Sequence, residues 1–227
     1  MSPLVILRHG QSEWNRDGRF AGWMDIGLTP TGIDQSRRAA RFLRQTGFEF
    51  DRCYTSVLDR AVRTAAYCLE AMGSPDVPTE ATWRLNERHY GALHGLSKEA
   101  IAKEFGEEQL RAWRRGYATR PPPSPPSEAA LFQRDVRYAG AAIPSAESQA
   151  DTVERVTPFW KQSLRPALAQ ELSCIVVAHG TSLRALVKII CGTSSADIEK
   201  FEIPNCVPLL IEFDAGGRAK PPYCLHD

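Results

Sequence analysis

The sequence predicts one α/β domain, built on a mostly parallel central sheet with helices flanking both faces. Two apolar runs, at residues 4–7 and 174–177, are short, branched and uninterrupted by polar residues, which is typical of strands buried on both faces. Segments with helical spacing alternate with such runs, which favours parallel strands joined by crossover helices. The length of 227 residues suits a single domain over residues 1–227 with a sizeable core.

In the first half of the chain, capping residues and glycines mark where the predicted helices begin and end. Thr29 followed by Pro30 is typical of a helix N-cap and first turn, and Gly47 supplies the C-terminal stop. Ser56 with Asp59 indicates a capping box at the start of the next helix. The other elements expected here are a polar loop at 11–28, a strand at 51–55, a helix end at Gly73 and a strand at 82–85.

The second half is richer in proline, which changes the structure we expect. Residues 97–117 have helical spacing interrupted by Gly106. The run at 121–126 contains five prolines, so we expect no regular structure there and interpret residues 118–146 as a stiff surface excursion over the mouth of the crevice. A polyproline ligand for another protein is the alternative. The remaining predicted elements are a helix at 152–170 kinked at Pro158 and Pro166, the strand at 174–177, a helix ending at Gly192 and a last strand at 207–213.

Composition excludes several classes of function. The net charge is +1 and the charged fraction is 24%, so no global field attracts nucleic acid or an acidic membrane, and we expect neither as a partner. The N-terminus has no basic region and no long apolar stretch, so we expect no signal peptide, no membrane span and a cytoplasmic location. The six cysteines show no close pair of metal-ligand spacing, which is typical of free thiols in a reduced compartment.

Both buried strands end in a histidine and a glycine. One ends in Arg-His-Gly at residues 8–10 and the other in Ala-His-Gly at 178–180. Because residues just past the carboxyl ends of parallel strands line the ligand crevice, His9 and His179 are expected to face one small molecule, with the glycines letting the backbone approach it. A neutral imidazole can form a covalent intermediate, and neighbouring Arg8 should lower the pKa of His9 by like-charge repulsion.

Two other interpretations of the histidines stay open at this point. Either ring could simply bond to backbone at a strand end. A catalytic zinc needs three protein ligands, and no Asp, Glu or His stands at helical spacing from either histidine to complete a motif. His89 and His94 are the candidate third ligands, and we expect no metal.

Cations and one carboxylate add to the candidate site. Arg60 falls in the first turn of its predicted helix, where backbone amides also favour anions, and Lys98 lies upstream of an arginine pair at 114–115. Each of these could equally be a solvated surface charge, since the chain has 28 basic residues. Glu87, just past a predicted strand, could act as general acid and base if burial raises its pKa towards neutrality. Structural pairing with Arg84, Arg88 or another arginine is the alternative.

Nearly the whole chain resembles the cofactor-dependent (2,3-bisphosphoglycerate-dependent) phosphoglycerate mutases of the histidine phosphatase superfamily. Arg-His-Gly alone would indicate only the superfamily, whereas Glu-Arg-His-Tyr-Gly at 87–91 and the arginine pair point to the mutases. The segments that carry the resemblance are 7–15 (LRHGQSEWN), 19–23 (RFAGW), 56–61 (SVLDRA), 85–93 (LNERHYGAL), 113–117 (WRRGY), 147–152, 178–186 (AHGTSLRAL), 203–204 and 207–209.

The resemblance implies a reaction and a set of residue roles. The reaction is the glycolytic and gluconeogenic interconversion of 2-phosphoglycerate and 3-phosphoglycerate, primed by 2,3-bisphosphoglycerate without a metal, with a homodimer or homotetramer as candidate assemblies. His9 would carry the phosphoryl group and Glu87 would shuttle protons. His179, Arg8 and Arg60 would stabilise the negative charge of the phosphoryl group during its transfer. The ligand-binding residues would be Asn15, Ala21, Gly22, Arg88, Tyr90, Lys98, Arg114, Arg115, Gly180 and Thr181.

Three departures from the mutase pattern keep other functions in view. Ala21 stands where the family usually has threonine, and Thr181 stands where it usually has asparagine. Only residues 216–227 follow the last predicted strand, so the lysine-containing tail of the long forms is missing, and a shorter cover would favour hydrolysis. The alternatives to a mutase are therefore a phosphomonoester phosphatase of the same superfamily and a non-enzymatic phospho-ligand or partner-binding protein.

Overall fold

A computed structural model, which describes residues 1–225, has the predicted α/β fold. Within these residues a six-stranded sheet runs in the order β3-β2-β4-β1-β5-β6. The pairs β3–β2, β2–β4 and β4–β1 are parallel, and β5 and β6 add antiparallel strands at one edge. Residues 226 and 227 of the predicted domain lie outside the described residues. The strands are β1 (Leu4–Arg8), β2 (Arg52–Thr55), β3 (Thr79–Ala81), β4 (Cys174–Ala178), β5 (Leu209–Ile211) and β6 (Tyr223–Cys224).

Helices cover both faces of the sheet, as predicted. No helix among the described residues combines the length and the apolar character needed to cross a membrane. The helices are α1 (Glu13–Arg16), α2 (Pro30–Gln45), α3 (Asp59–Met72), α4 (Lys98–Phe105), α5 (Glu107–Arg115), α6 (Pro126–Gln133), α7 (Gln149–Phe159), α8 (Arg165–Ala169), α9 (Gly180–Cys191) and α10 (Ser195–Lys200), with short 3₁₀ turns at Trp83–Leu85, Gly91–Leu93 and Val136–Tyr138 and a π turn at Trp160–Leu164.

Strand β1 separates two apolar cores. Leu4 and Ile6 pack with side chains of α7 and α9, whereas Val5 and Leu7 pack with side chains of α2 and α3. Alternate residues of a strand point to opposite faces, so a strand that is buried on both sides must be apolar throughout. The runs of β1 and β4 are continuously apolar because both strands are buried on both faces. The strands predicted at 4–7 and 174–177 are confirmed.

The register between β1 and β4 brings the two strand ends together. Arg8 lies opposite Ala178 in the parallel pairing, and the amide of His9 donates to the carbonyl of Ala178 at 2.9 Å. His9 and His179 therefore leave the sheet at the same level. Two residues that are 170 positions apart in sequence become neighbours at the carboxyl edge of the sheet.

Two local predictions were wrong. The third strand is Thr79–Ala81 and not residues 82–85, which form a 3₁₀ turn; this edge strand is exposed throughout and so carries no apolar signature. Ser56 does not form a capping box with Asp59, because Leu58 is the N-cap of α3 and Asp25 from a distant loop accepts the amide of Asp59 at 2.7 Å.

Other expected elements are present with adjusted bounds. Thr29 caps α2 through a bond from the amide of Gly32, and Gly106 interrupts the segment between α4 and α5. The predicted helix at 152–170 consists of α7, the π turn and α8 in succession. The π turn lies between Pro158 and Pro166, the two residues that have no backbone N–H to donate. The last strand shortens from 207–213 to β5, and β6 follows it.

The proline-rich segment 118–146 is more ordered than predicted. Pro126 begins the regular helix α6, since a proline is tolerated in the first turn. Tyr138 stacks on Trp23 with ring centroids 5.1 Å apart, and Arg137 pairs with Asp25 at 2.5 Å. The segment therefore packs behind the loop that contains residues 20–25, and the crevice described below has no lining residue from it.

Candidate active site

The two histidines at the strand ends form a buried pair. The ring centroids of His9 and His179 are 4.9 Å apart, and each residue is almost fully buried. The ring of His9 does bond to backbone at its strand end, which is the alternative considered from sequence, but it also faces His179. The two rings form one centre at the carboxyl edge of the sheet, as predicted.

The hydrogen bonds of His9 leave one ring nitrogen available for attack. Its Nδ1 lies 2.7 Å from the carbonyl oxygen of Gly10, and a carbonyl can only accept, so Nδ1 carries the hydrogen and Nε2 carries the lone pair. Burial lowers the pKa of His9 well below its usual value, and the charges of Arg60 and Arg8 lower it further. The predicted effect of Arg8 is present but is smaller than that of burial. His9 is thus a neutral imidazole with a free Nε2.

The ring of His179 is held at the start of α9. Its Nε2 lies 2.7 Å from Oγ of Ser56, and that hydroxyl already accepts a bond from the amide of Leu58. A hydroxyl oxygen accepts two hydrogen bonds, so it can also accept one from the ring. The reciprocal cap at the start of α9 directs the backbone amide of Ser182 toward the side chain of His179. Burial lowers the pKa of His179 well below its usual value, so it is a neutral imidazole beside His9.

A compact cavity of about 120 Å³ opens beside this pair. Its walls come from the ends of β1 and of α5, the starts of α3, α4 and α9, and the loops that contain residues 15–22, 87–90 and 202–203. The predicted site residues that line it are Arg8, His9, Asn15, Ala21, Gly22, Arg60, Glu87, Tyr90, Lys98, Arg114, Arg115, Gly180 and Thr181, and the further residues are Arg19, Phe20, Arg184, Glu202 and Ile203.

Positive charge dominates the cavity. Burial lowers the pKa of Arg60 to about 10 and, helped by the charge of Arg114, lowers the pKa of Lys98 to about 8. Nε of Arg8 and Nη1 of Arg115 are buried and lack hydrogen-bond partners among the described residues. Buried guanidinium nitrogens without hydrogen-bond partners are costly, and bound anionic groups would relieve that cost. The cavity is therefore built for an anion.

Glu87 is a carboxylate in this cavity, which corrects one expectation. Burial raises its pKa, as predicted, but bonds from the amides of Thr181 and Arg88 and the charges of Arg184 and Arg8 outweigh burial, so the net pKa is lowered. The two amides donate to Oε1 at 3.2 Å and 2.7 Å. Glu87 is ready to accept a proton, and its pKa does not show the expected rise towards neutrality.

Arg88, which the resemblance places among the ligand-binding residues, does not line the cavity. Its side chain is fully buried and points away from the cavity, with Nη1 and Nη2 donating to the carbonyls of Gly116 and Arg114. Its guanidinium also lies over the ring of Tyr90, 5.1 Å from the centroid. Arg88 therefore positions two residues that do line the cavity, Arg114 and Tyr90.

A buried ion pair holds the segment that carries Glu87. Arg155 and Glu147 lie within 2.6 Å of each other, and Glu147 also accepts from the amide of His89. Arg155 donates to the carbonyls of Asn86 and Glu87, at 3.1 Å and 3.2 Å. Removing either partner would destabilise the protein, because the other would be left as an unpaired buried charge.

Glycines at the site serve packing more than ligand approach. A Cβ atom on Gly10 would lie 2.3 Å from the carbonyl oxygen of Gly32, so Gly10 is required where β1 ends against the start of α2 and not beside a ligand. Gly22 has a φ of +49°, and a Cβ there would lie 2.1 Å from Nε2 of His94. The expectation that Gly10 lets the backbone approach the ligand was wrong, whereas Gly22 does line the cavity.

Comparison with known proteins decides the family. The sequence profile described as histidine phosphatase superfamily (branch 1) matches residues 4–220. The chain belongs to the histidine phosphatase superfamily.

Solved structures share the fold of this protein over almost their whole length. A mycobacterial glucosyl-3-phosphoglycerate phosphatase superimposes with a TM-score of 0.74 at 24% identity, over 97% of this chain and 96% of that chain. The α-ribazole phosphatase from Shigella flexneri gives 0.70 at 22% identity, over 99% and 96%. A phosphoserine phosphatase from Entamoeba histolytica in complex with 3-phosphoglyceric acid gives 0.69 at 21% identity, over 100% and 98%. At these identities the likeness shows the fold alone.

A second histidine cluster lies away from His9 and His179. His89, His94 and Glu128 each place one ligand-type atom within 4.8 Å of the others, and this group includes neither His9 nor His179. His89 and His94 thus do not complete a metal site with that pair, contrary to the alternative considered from sequence.

Backbone amides fix the tautomers of these two rings. The amide of Gly91 donates to Nδ1 of His89, and the amide of Tyr90 donates to Nε2 of His94. The ring hydrogens therefore sit on the nitrogens that face Glu128, at 3.5 Å and 2.8 Å. Metal ligation needs lone pairs there, so the cluster fits hydrogen bonding between α6 and the turn at 89–94 better than metal binding.

Several residues of the site were missed from sequence. Arg184 lies one helical turn after Gly180, and its guanidinium bonds Thr181 and Gln149 while lining the cavity. Its spacing of four residues from Gly180 is a signal that could have found it. Glu202 and Ser56 carry no such local signal, because they reach the site through the tertiary fold.

Acid should destabilise the protein. Burial lowers the pKa of His9 and of His179 well below their usual value and lowers that of His89 to about 2. Below pH ~6.5 these histidines bind protons in the unfolded chain but stay neutral in the folded chain. Lowering the pH from 7.5 to 5 therefore decreases the free energy of unfolding by roughly 2 kcal/mol per histidine.

Urea unfolding at pH 7.5 and pH 5 measures this loss. His89→Gln should lose about a third of the pH dependence, because one of the three titrating rings is gone. Equal or greater stability of the wild type at pH 5 would contradict the buried neutral state of these histidines.

Proposed function

We propose that this protein interconverts 2-phosphoglycerate and 3-phosphoglycerate through a phosphoryl group carried on Nε2 of His9. The observation that carries the proposal is one compact cavity in which His9, with His179 packed beside it, lies among more cations than a single phosphoryl group requires. Arg8 and Arg60 act on His9 electrostatically, while Lys98, Arg114 and Arg115 supply further positive charge along the same wall. A small substrate with a phosphate and a carboxylate satisfies both groups of cations.

The reaction consists of two transfers with balanced proton movement. The phosphoryl group leaves Nε2 of His9 for a free hydroxyl of the monophosphoglycerate, and the hydroxyl proton passes to Glu87. The other phosphoryl group then moves to Nε2, as Glu87 returns the proton to the departing oxygen. His179 and the guanidinium of Arg8 stabilise the phosphoryl oxygens during the transfer, so preorganised polar groups supply most of the catalysis.

The proposal includes 2,3-bisphosphoglycerate as the primer. It supplies the first phosphoryl group to His9 when bound. The unpartnered buried nitrogens of Arg8 and Arg115 fit a ligand with several anionic groups, and together with Lys98 and Arg114 they would hold it. No metal is needed for these steps, because the cavity supplies the positive charge itself.

Phosphomonoester hydrolysis is the second candidate. The solved relatives are named as phosphatases for glucosyl-3-phosphoglycerate, α-ribazole phosphate and phosphoserine. Hydrolysis shares the first transfer to His9, after which water replaces the acceptor hydroxyl. We rank it second because the cavity offers several cations beyond those beside His9.

The test supplies 3-phosphoglycerate with a catalytic amount of 2,3-bisphosphoglycerate and follows both products. Formation of 2-phosphoglycerate that outpaces release of inorganic phosphate is the expected result. Phosphate release that outpaces isomerisation would replace the mutase with the phosphatase. A protein that binds the phosphoglycerates and does neither would leave a phospho-ligand-binding function.

A further inference from the structure

Glu202 is a carboxylate inside a cavity built for anions. It lies between α10 and β5, beside Ile203, whose carbonyl accepts a bond from Nη1 of Arg8 at 3.0 Å. Oε1 of Glu202 lies 2.5 Å from Nη2 of Arg115, and both residues line the cavity. Its side chain is 67% exposed, whereas that of Arg115 is 23% exposed. The carboxylate therefore reaches the half-buried guanidinium of Arg115 from the solvent side.

Arg115 is only partly satisfied by this contact. Its Nη1 is buried and has no hydrogen-bond partner within residues 1–225, and Nε of Arg8 is in the same state. The charge of Arg115 also lowers the pKa of Arg8 and of Arg184, so these three guanidinium groups act on one another. This end of the cavity therefore has guanidinium nitrogens without hydrogen-bond partners among residues 1–225, even with Glu202 bonded to Arg115.

Because the carboxylate of Glu202 is exposed, a ligand carboxylate can replace it as the partner of Arg115. Ion pairs with one solvated member contribute little to stability, and salt screens them. A ligand carboxylate would bring a second charge-assisted bond to the planar fork of Arg115, and it would meet repulsion from Glu202 while that side chain stays in place.

We propose that Glu202 is a specificity residue that occupies Arg115 in the free protein and competes with the second anionic group of the substrate. The inference rests on the proposed function, because it takes the substrate to be a phosphomonoester with such a group. Glu202 thereby lowers the affinity for ligands that carry a carboxylate beside the phosphate, and it does so more than for ligands that carry the phosphate alone.

The experiment compares two matched ligands with Glu202→Gln. Calorimetry measures the Kd of 3-phosphoglycerate and of glycerol 3-phosphate, which has no carboxylate. We expect the variant to bind 3-phosphoglycerate roughly two- to fivefold more tightly, the range for an exposed ion pair, with a smaller change for glycerol 3-phosphate. The difference should shrink at high ionic strength. Glu70→Gln, an exposed change of the same charge near the far end of α3, should alter neither Kd.

Each other outcome overturns the inference. An unchanged Kd means that Glu202 does not compete, and weaker binding of 3-phosphoglycerate means that Glu202 instead positions Arg115 for it. An equal gain for both ligands indicates general electrostatics. Weaker binding of O-phosphoserine, with 3-phosphoglycerate unaffected, would assign Glu202 to an ammonium group.

These measurements are independent of turnover. A wild type that binds 3-phosphoglycerate but does not isomerise it contradicts the proposed mutase, while the comparison of Glu202→Gln with the wild type still decides the role of Glu202. A wild type and variant that both fail to bind 3-phosphoglycerate contradict both proposals.

Discussion

Replacing His9 by alanine is expected to reduce turnover by about four to six orders of magnitude, as for other enzymes that lose a nucleophile. The bond from Nδ1 to the carbonyl of Gly10 holds the lone pair on Nε2, and no other ring in the cavity wall has that arrangement within the described residues. The neighbouring His179 is bonded through Nε2 to Ser56, so it cannot take over the role without breaking that bond.

Phosphate labelling and turnover together check this result. The wild type should acquire an acid-labile, base-stable phosphate label, and His9→Ala should acquire none. Urea unfolding shows whether the variant is folded, and it should be, since the change removes a buried polar ring at the surface of a cavity. A label that persists in His9→Ala would move the phosphoryl group to another residue.

Glu87→Gln is expected to slow turnover of the phosphoglycerates by about two to four orders of magnitude, the usual size of a general acid–base contribution. Glutamine keeps the oxygen that accepts from the amides of Thr181 and Arg88, so the segment should keep its place. It can neither take up the hydroxyl proton nor return it to a departing alkoxide.

The phosphate donor separates this role from a structural one. An aryl phosphate releases a stable phenolate and needs no proton from the enzyme, so labelling of His9 by p-nitrophenyl phosphate should survive in Glu87→Gln. Turnover of 3-phosphoglycerate should fall far more than that labelling. Equal losses in the two assays would show that Glu87 only shapes the cavity.

The fold was predictable where local pattern and burial agree. The runs at β1 and β4 are apolar throughout because helices cover both faces, so the sequence carries their position directly. Strand β3 is an exposed edge of three residues, and pairing with β2 defines it where side-chain pattern does not. The helix at Pro126 was missed because proline was read as a breaker, although it is tolerated in a first turn.

The site was predictable from the strand ends and from the resemblance, but its electrostatics were not. Spacing placed His9 and His179 at one edge, whereas the lowered pKa of Glu87 depends on amides and guanidinium groups that only the tertiary fold brings near. Arg88 does not line the cavity, because its own side chain turns away from it while its neighbours in sequence line it. Glu202 reaches Arg115 across 87 positions of sequence, a distance that no local pattern spans.

The central place of β1 has a consequence for biosynthesis. This strand is made first, yet both of its hydrogen-bonding neighbours, β4 and β5, are made last. Pairing across such a long stretch of chain is entropically costly and slow. During synthesis β1 cannot pair until β4 and β5 have been made. The imidazoles of His9 and His179 therefore meet only late in translation, and a nascent chain that ends before β4 lacks this pair.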